Sequence, residues 1–420
     1  MRILWFANTP CGAAEKLVPD QPRFGGWLKS LEEQLVQHND IELFICFYWA
    51  EELEPFKYKK TTYYPMSKIR VDSGTDHSND RALHCVHDDK KEVKKLLRVI
   101  DAVKPDLIHV HGTEDNFGLI QAYTETPVVI SVQGILSSIC EKYFSGVPSF
   151  VAYQCEGLHP EFPFQSVNFL YNDMKKRAVR ERKILSQARY IIGRTDWDRR
   201  VTRLLAPHSR YFVGNEILRS SFYEKQWNKG ELGDPPQIVT VVNRELYKGM
   251  ETIVNTARIL CENNTVNFKW TVVGQSESGN VAKIIKRWLK VDFKPFHIDL
   301  VGGKNETELG AILLNSDIYC QVSHIENSSN SLCEAMLIGM PVIASCAGGT
   351  DSILDNRKEG LLVQDGDPYS FAGAIVEMIR NSQKAIEYGK SARNTAMKRH
   401  NKECITNTIV AVYKNILSGQ

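Results

Sequence analysis

Short runs of apolar and β-branched residues alternate with helical patterns along the whole chain, and this alternation restricts the fold more than any other feature. Strands that are separated by helices need crossover connections, so the pattern predicts βαβ units and parallel sheets. The pattern occurs twice. A weakly patterned segment, residues 215–237, separates the two series and contains a Gly-Asp-Pro-Pro turn, which is typical of a connection between domains.

We therefore predict an α/β protein with two doubly wound domains that face each other across a cleft. The predicted bounds are residues 1–215 for the first domain and 216–397 for the second. Apolar residues recur at helical spacing from Ile405 to Ile416, so residues 398–420 should form a final amphipathic helix with one buried face. The predicted strands are residues 3–7, 41–48, 107–111, 128–132, 190–193, 238–242, 269–273, 298–301, 318–322, 341–345 and 360–363, and the first domain has helices at 27–37 and 90–103.

Composition excludes several classes of protein. The 420 residues contain 52 basic and 50 acidic side chains, so the overall charge gives no reason to expect a nucleic acid ligand. The longest apolar stretches are much shorter than the roughly 20 residues of a transmembrane helix. The first residues run directly into a strand pattern without a signal-peptide pattern, so we expect a cytoplasmic protein. The ten cysteines are scattered without a Cys-x-x-Cys pair, which favours reduced core thiols.

Cofactor motifs are also missing from the sequence. No two glycines have G-x-G spacing, so the dinucleotide fingerprint of dehydrogenases is absent. Two D-x-D segments, at residues 196–198 and 365–367, have a spacing that can hold a divalent metal. The second precedes Pro368 and is more simply a turn followed by a helix N-cap. We predict neither a metal nor an organic cofactor.

The segment from His324 to Thr350 contains the richest set of polar residues. It follows a predicted strand, so its loop and the next helix lie at the carboxyl end of a parallel sheet, where α/β proteins bind ligands. The helix should begin at Asn330 or Ser331, and its free amides would favour a phosphate. The alternative is purely structural, since Ser331 and Glu334 also have the spacing of a capping box. A second glycine loop, Gly348-Gly349, is again suited to an anion, and the two loops suggest a diphosphate.

These residues carry a family resemblance. Glu326 and Glu334 are separated by seven residues and are followed by Ala335-Met336, Gly339, residues 341–344 and Gly348-Gly349. This arrangement resembles the E-x7-E signature of retaining glycosyltransferases of family 4, which have the GT-B fold and a final helix that crosses back to the first domain. The resemblance extends to Gly25-Gly26, residues 106–112 and Lys248-Gly249.

The resemblance implies roles for particular residues. Glu326 would contact the donor sugar, Glu334 would bind the nucleotide ribose, and Arg244 and Lys248 would hold the diphosphate without a metal. Two cations there would stabilise the charge that develops on the leaving group. The remaining positions expected on the donor side are Gly25, Gly26, Gly274, Gly302, Asn330, Ser331, Leu332 and Gly349.

The acceptor side is expected to include Gln133, His111 and Arg194. Many family members carry a histidine where this chain has Gln133, and a glutamine cannot shuttle a proton near neutral pH. The mechanism usually proposed for the family fits this loss, because the donor's own phosphate oxygen takes the acceptor proton in a front-face displacement. His109 and His111 are interpreted mainly as packed residues, with His111 expected nearer the cleft.

The resemblance thus implies transfer of a sugar from a nucleotide-diphosphate sugar, with UDP preferred to GDP, to a sugar or polyprenyl-linked sugar in bacterial surface polysaccharide synthesis. Two alternatives remain open, a sugar-nucleotide epimerase and a non-catalytic partner subunit. Exposed-looking aromatic residues at 143–169 precede a basic segment at 175–183, and together they suggest peripheral contact with the inner, anionic face of the cell membrane. A merely solvated basic helix is the alternative.

Overall fold

The computed structural model describes residues 1–19, 26–68, 89–156, 166–264 and 266–419. The first sheet has the strand order β3-β4-β2-β1-β5-β6-β7-β8, and every neighbouring pair is parallel except the antiparallel edge pair β3 and β4. Its strands are β1 (Arg2–Ala7), β2 (Glu42–Trp49), β3 (Phe56–Tyr58), β4 (Thr61–Ser67), β5 (Leu107–His111), β6 (Val128–Ser131), β7 (Tyr190–Gly193) and β8 (Arg210–Val213).

The second sheet is parallel throughout and has the order β11-β10-β9-β12-β13-β14. Its strands are β9 (Gln237–Val241), β10 (Lys269–Val273), β11 (Ile298–Leu300), β12 (Ile318–Gln321), β13 (Val342–Ser345) and β14 (Leu361–Val363). All the strands expected from the sequence are present, and none of their ends differs by more than one residue. The sequence reasoning missed the two edge strands β3 and β8, and also β4, which lies between β3 and β2. β3 has three residues and β4 contains Pro65, so neither gives a clear strand pattern.

Helices cover both sheets. The first domain contains α1 (Ala14–Leu17), α2 (Gly26–Leu35), α3 (Asp89–Val103), α4 (Leu136–Lys142), α5 (Ser149–Glu156), α6 (Val167–Ser186) and α7 (Asp196–Leu205). The later helices are α8 (Ser220–Glu224), α9 (Met250–Glu262), α10 (Asn280–Leu289), α11 (Glu306–Asn315), α12 (Asn330–Ile338), α13 (Pro368–Arg380), α14 (Ser382–Arg399) and α15 (Lys402–Leu417).

The final helix α15 returns to the first domain. Its apolar stripe, Ile405 to Ile416, is buried in one core cluster with residues of α2 and β1. The hydroxyl of Tyr413 accepts a hydrogen bond from Nε1 of Trp5 at 3.0 Å and lies 2.7 Å from Nδ1 of His109. The predicted burial of the stripe is therefore confirmed, and the core of the first domain is completed by the last segment of the chain.

Helices α4 to α6 connect the two domains through a shared core. Tyr143 is fully buried and its ring lies 6.0 Å from that of Tyr247 in the second domain. Arg287 of α10 donates to the carbonyl oxygens of Cys155 and Glu156 at the end of α5. The expectation that the aromatic segment is exposed is thus wrong for Tyr143, because the second domain covers it. Phe162 and Phe164 lie outside the described residues.

Two further expectations concern cysteines and membrane spans. The nine cysteines within the described residues are all unpaired thiols, and Cys85 falls outside that part of the chain. Among the described helices, none combines the length and the apolar character that are needed to cross a lipid bilayer.

Candidate functional site

A cleft of about 640 Å³ lies between α2 of the first domain and the carboxyl ends of the strands of the second. This is the edge at which parallel sheets expose helix N-termini and loop amides to ligands. Six of the residues predicted from the sequence line it: Gly26, Lys248, Glu326, Asn330, Ser331 and Glu334.

Glu326 and Lys248 meet at the centre of this cleft. Glu326 lies in the loop between β12 and α12, and Lys248 ends the 3-10 helix that follows β9. Lys248 Nζ donates to Glu326 Oε1 at 2.5 Å, and both side chains remain partly exposed. The two loops approach closely because Gly249 has a positive φ, and a β-carbon there would lie 2.2 Å from the carbonyl oxygen of Val322. The arrangement presents a cation and a carboxylate to one ligand.

Glu334 is held by an arginine that the sequence analysis did not identify. The capping box that was the structural alternative does not form, because Ser329 is the N-cap of α12 and its side chain makes no capping bond. Instead, Arg219 donates from Nε and Nη2 to the two carboxylate oxygens of Glu334, at 2.7 and 2.6 Å. Burial raises the pKa of Glu334, and Arg219 opposes that shift. Arg219 lies in the weakly patterned segment between the domains, where a lone arginine gives no sequence signal.

The N-terminus of α12 faces the cleft. Asn330 and Ser331 line the cleft, and the hydroxyl of Tyr319 donates to Ser331 Oγ at 2.8 Å. The amides of the first helical turn have no intrahelical acceptors, and the positive end of the helix dipole lies there. The side chain of Leu332 is fully buried in the core, so only its backbone amide is placed for a ligand. This end of α12 is suited to an anion.

The second glycine loop supports the Glu326 loop. The amide of Gly349 donates to the carbonyl oxygen of Glu326 at 2.9 Å. Gly348 has a positive φ, and a β-carbon there would lie 1.9 Å from the same oxygen. Gly349 does not line the cleft and its amide is already bonded, so the sequence interpretation of this loop as a second anion contact finds no support in the geometry.

The remaining donor-side positions lie away from the cleft lining. Gly274 donates its amide to the carbonyl oxygen of Gly302 at 2.8 Å, and both residues join the strand ends of the second sheet. Arg244 is exposed and does not line the cleft. Gly25 lies outside the described residues.

The predicted acceptor-side histidine is enclosed by rings. His111 is buried, its ring centroid lies 3.8 Å from that of His109, and its edge contacts Trp27 and Trp5. Burial, together with His109 and Arg194, holds the pKa of His111 well below its usual range. His109 bonds to Tyr413 and Ser131 and is a packed residue, as expected.

Arg194 contacts both domains. Its guanidinium lies 4.3 Å from the ring centroid of Trp27, and its Nε lies 3.4 Å from Oε2 of Glu216. Burial alone would raise the pKa of Glu216, but Arg194, with His400 and Arg399, lowers it to about 2. Glu216, Cys333 and His400 form the group in the described residues that is close enough to hold a metal. The neighbouring guanidinium disfavours a cation there.

Asn327 joins the loop of Glu326 to the first domain. Its Nδ2 donates to the carbonyl oxygen of Gln133 at 3.1 Å, and its Oδ1 accepts from Thr195 Oγ1 at 2.7 Å. The sequence analysis did not single out Asn327, because an asparagine in a serine-rich loop has no distinctive spacing. The donor-side loop and the acceptor-side loop are thus in direct contact.

The last aspartate of each D-x-D segment bonds to a local backbone amide. Asp198 is buried and accepts from the amide of Arg194 and the hydroxyl of Tyr211. Asp367 is the N-cap of α13, with Pro368 in the first turn, as the structural interpretation predicted.

The sequence of the second domain matches a known family. Residues 222–395 match the family described as Glycosyl transferases group 1. They form a glycosyltransferase group 1 domain. This segment contains Lys248, Glu326 and Glu334 but not Arg219.

Curated relatives are similar over part of the chain. The amylovoran biosynthesis glycosyltransferase AmsK of Erwinia amylovora is 24% identical over 39% of this chain and 40% of its own length. The putative colanic acid biosynthesis glycosyltransferase WcaL of Salmonella typhimurium is 22% identical over 44% of this chain and 46% of its own. The chain thus aligns with less than half the length of each of these relatives.

Solved structures show the same architecture over the whole chain. Sucrose-phosphate synthase from Thermosynechococcus elongatus is 17% identical with a TM-score of 0.72, and both chains are fully covered. Anabaena HepE in complex with UDP is 14% identical with a TM-score of 0.64, over 99% of this chain and all of that one. Two parallel-sheet domains facing across a cleft, with these neighbours, are the GT-B fold that the resemblance implied.

Proposed function

We propose that this protein is a retaining glycosyltransferase that moves a sugar from a nucleotide-diphosphate sugar, with UDP as the preferred nucleotide. The observation that carries this proposal is the single cleft in which Lys248, Glu326, Glu334 and the N-terminus of α12 converge. Cationic and amide donors suit a diphosphate, and the carboxylates suit sugar and ribose hydroxyl groups. The UDP and UDP-glucose complexes of HepE add support for this donor class.

The chemistry follows from the residues of the cleft. Lys248 would stabilise the negative charge that develops on the leaving diphosphate, and its pairing with Glu326 holds the ammonium in place beforehand. Glu334, orientated by Arg219, would accept hydrogen bonds from the ribose. The contact of Asn327 with Gln133 would keep the acceptor loop near the donor loop. Closure of the cleft would exclude water and favour transfer over hydrolysis.

The acceptor that we propose is a sugar or a polyprenyl-linked sugar in surface polysaccharide synthesis at the cytoplasmic face of the membrane. Two relatives are named for amylovoran and colanic acid biosynthesis, which supports this class of product. Peripheral membrane contact would come from the exposed cations of α6, namely Lys175, Lys176, Arg182 and Lys183, which we call the basic face.

A thermal-shift screen tests the donor assignment. UDP and UDP-sugars should raise the melting temperature of the purified protein, because a ligand that binds only the folded state stabilises it. Lys248→Ala should reduce the shift, since the diphosphate loses its cation. The exposed pair of Arg357 and Glu377 lies elsewhere, so Arg357→Ala is a matched control that should keep the full shift.

Product analysis separates the alternatives. A transferase forms a new glycoside, an epimerase forms a new sugar nucleotide, and a non-catalytic subunit forms neither. If the wild-type protein showed no shift with UDP, GDP or their sugar conjugates, the proposed donor class would be contradicted.

A further inference from the structure

The first domain reaches the cleft through a single helix. Among the described residues, those of the first domain that line the cleft all belong to α2. Their side chains, which we call the α2 wall, are Trp27, Lys29, Ser30 and Glu33. The apolar residues of the same helix, Leu28, Leu31 and Leu35, are instead buried in the core of the first domain. A ligand that contacts the first domain in this cleft therefore contacts α2.

The other polar groups at this end of the first sheet do not line the cleft. His111 and Arg194 are buried. Oε2 of Glu114 is buried over Gly112, where a β-carbon would collide with it. Gln133 is half-buried and also lies outside the lining. These groups belong to the support of the first domain, whereas the α2 wall meets the ligand.

Trp27 is the aromatic residue of the α2 wall, and its ring is held from the protein side. The guanidinium carbon of Arg194 lies 4.3 Å from the ring centroid and covers one face. The ring of His111 packs at 5.8 Å with an interplanar angle of 72°. Cation–π and edge-to-face contacts of this kind favour a fixed ring orientation. Trp27 remains partly exposed and lines the cleft, so the accessible part of its indole faces the ligand space.

The same contacts connect the indole to the loop of Glu326. Arg194 Nε lies 3.4 Å from Oε2 of Glu216, and Glu216 accepts a hydrogen bond from the hydroxyl of Ser328. Ser328 lines the cleft two positions after Glu326, the residue expected to contact the donor sugar. Trp27 is thus joined through two side chains to the loop that would hold the donor sugar, and an acceptor has to approach the donor sugar.

The charges of the α2 wall suit hydroxyl groups better than a diphosphate. Lys29 Nζ lies 2.7 Å from Oε1 of Glu15 but 3.9 Å from Oε1 of Glu33, so Glu15 holds the ammonium. The side chain of Glu33 is 43% exposed and presents a carboxylate to the cleft. A carboxylate accepts hydrogen bonds from hydroxyl groups and repels phosphate. The cation for the diphosphate, Lys248, lies on the opposite wall.

We propose that the α2 wall binds the acceptor and that the acceptor presents an uncharged pyranose ring, whose C–H face packs on Trp27 while a hydroxyl group donates to Glu33. A pyranose has an apolar face of C–H groups and a rim of hydroxyl groups. It can therefore bury the face against an aromatic ring and keep hydrogen bonds at the rim. The assignment rests on the proposed glycosyltransferase function, and it leaves the acceptor proton to the donor phosphate.

Ligand-observed NMR tests the assignment with four neutral sugars: glucose, galactose, mannose and N-acetylglucosamine. Each is added to the protein saturated with UDP, and saturation transfer to the sugar protons gives the Kd. We expect at least one sugar to bind wild type. Trp27→Ala should raise its Kd at least about tenfold, because the C–H face loses its apolar contact. Trp27→Phe keeps an aromatic ring and should stay within about threefold of wild type.

Glu33→Ala is a second variant of the α2 wall. It should weaken sugar binding about fivefold, since one hydrogen bond is lost. Glu33 is well exposed, so this change leaves the core intact and tests the wall even if Trp27→Ala is unstable.

Two controls locate the bound sugar. Trp288 is a half-buried tryptophan of α10 outside the cleft lining, so Trp288→Ala should keep the Kd values of wild type for sugar and UDP. A sugar in the donor position would depend on Glu326, so Glu326→Gln should keep the sugar that binds to the α2 wall.

Three results would overturn the assignment. The first is a sugar Kd for Trp27→Ala within about twofold of wild type, and the second is a wild-type protein that binds UDP but none of the four sugars. The third is UDP binding that weakens about tenfold or more in Trp27→Ala, which would place the ring against the nucleotide. Failure of wild type to bind UDP would instead contradict the proposed function.

Discussion

At the scale of single residues, the ion pair with Arg219 decides whether Glu334 can stay ionised in the wall of the cleft. Glu334 is almost fully buried, and a buried charge is stable only with a partner. Both of its oxygens receive a hydrogen bond from the same guanidinium, which leaves lone pairs that can accept from a ligand. The role of Glu334 therefore depends on a residue from outside the E-x7-E segment.

Replacement of Arg219 by alanine should weaken UDP binding by about tenfold, which corresponds to about 1.4 kcal/mol. Without the guanidinium, burial would drive Glu334 to its protonated form and leave it free to rotate. Isothermal titration calorimetry gives the Kd. Arg258→Ala, at an exposed pair with Glu262, should leave it unchanged.

The double variant Arg219→Ala with Glu334→Gln distinguishes binding from folding. It replaces the buried ionisable carboxyl that has lost its partner with a neutral amide, so the melting temperature should recover while UDP affinity stays low. If Arg219→Ala bound UDP as tightly as wild type, the orientating role of Arg219 would be refuted.

At the scale of elements, α6 has two different basic surfaces. Arg177 pairs with Asp173, and Arg180 is turned inward to Asp89. The basic face, by contrast, is exposed, and Val179 lies within it with 60% of its surface accessible. An apolar residue among cations is typical of a surface that contacts anionic lipid. The sequence alone did not separate the inward from the outward cations.

Replacing the four cations of the basic face by glutamine should lower binding to vesicles that contain about 30 mol% phosphatidylglycerol by at least about tenfold, because each cation near such a surface contributes roughly 1 kcal/mol. Vesicle co-sedimentation at low salt measures the change. The charge-matched control replaces four exposed lysines of the second domain: Lys358, Lys384, Lys390 and Lys398. If the two fourfold variants bound the vesicles equally, the cations of α6 would be solvated and would make no specific membrane contact.

At the scale of the whole molecule, the chain crosses twice between the two domains, and the two crossings contact each other. The chain passes between them once through residues 214–236 and again where α14 is followed by α15. Glu216 and His400 lie at these two crossings and are bonded to each other, since the ring of His400 hydrogen-bonds to the carbonyl oxygen of Glu216. The last helix is therefore part of the first domain's core.

Tyr413→Phe tests that contribution. The change removes the partner of Trp5 Nε1 and of His109 in a fully buried site, so the free energy of unfolding in urea should fall by about 1–3 kcal/mol. Tyr369→Phe, at a tyrosine that is 72% exposed, should change it by less than about 0.5 kcal/mol. An unchanged stability for Tyr413→Phe would mean that α15 contributes packing alone.

The parallel-sheet architecture and the E-x7-E segment could be predicted from the sequence, because alternating strand and helix periods and a short motif are local properties. Glu326, Glu334 and Lys248 were found through the family resemblance that the motif carries, and all three line one cleft. By contrast, the folded structure was needed to show that Arg219 holds Glu334, that Asn327 reaches Gln133 and that Glu114 lies over Gly112. These partners are between 2 and 194 positions apart, so no period or spacing relates them, and the contacts exist only once the packed cores bring the loops together.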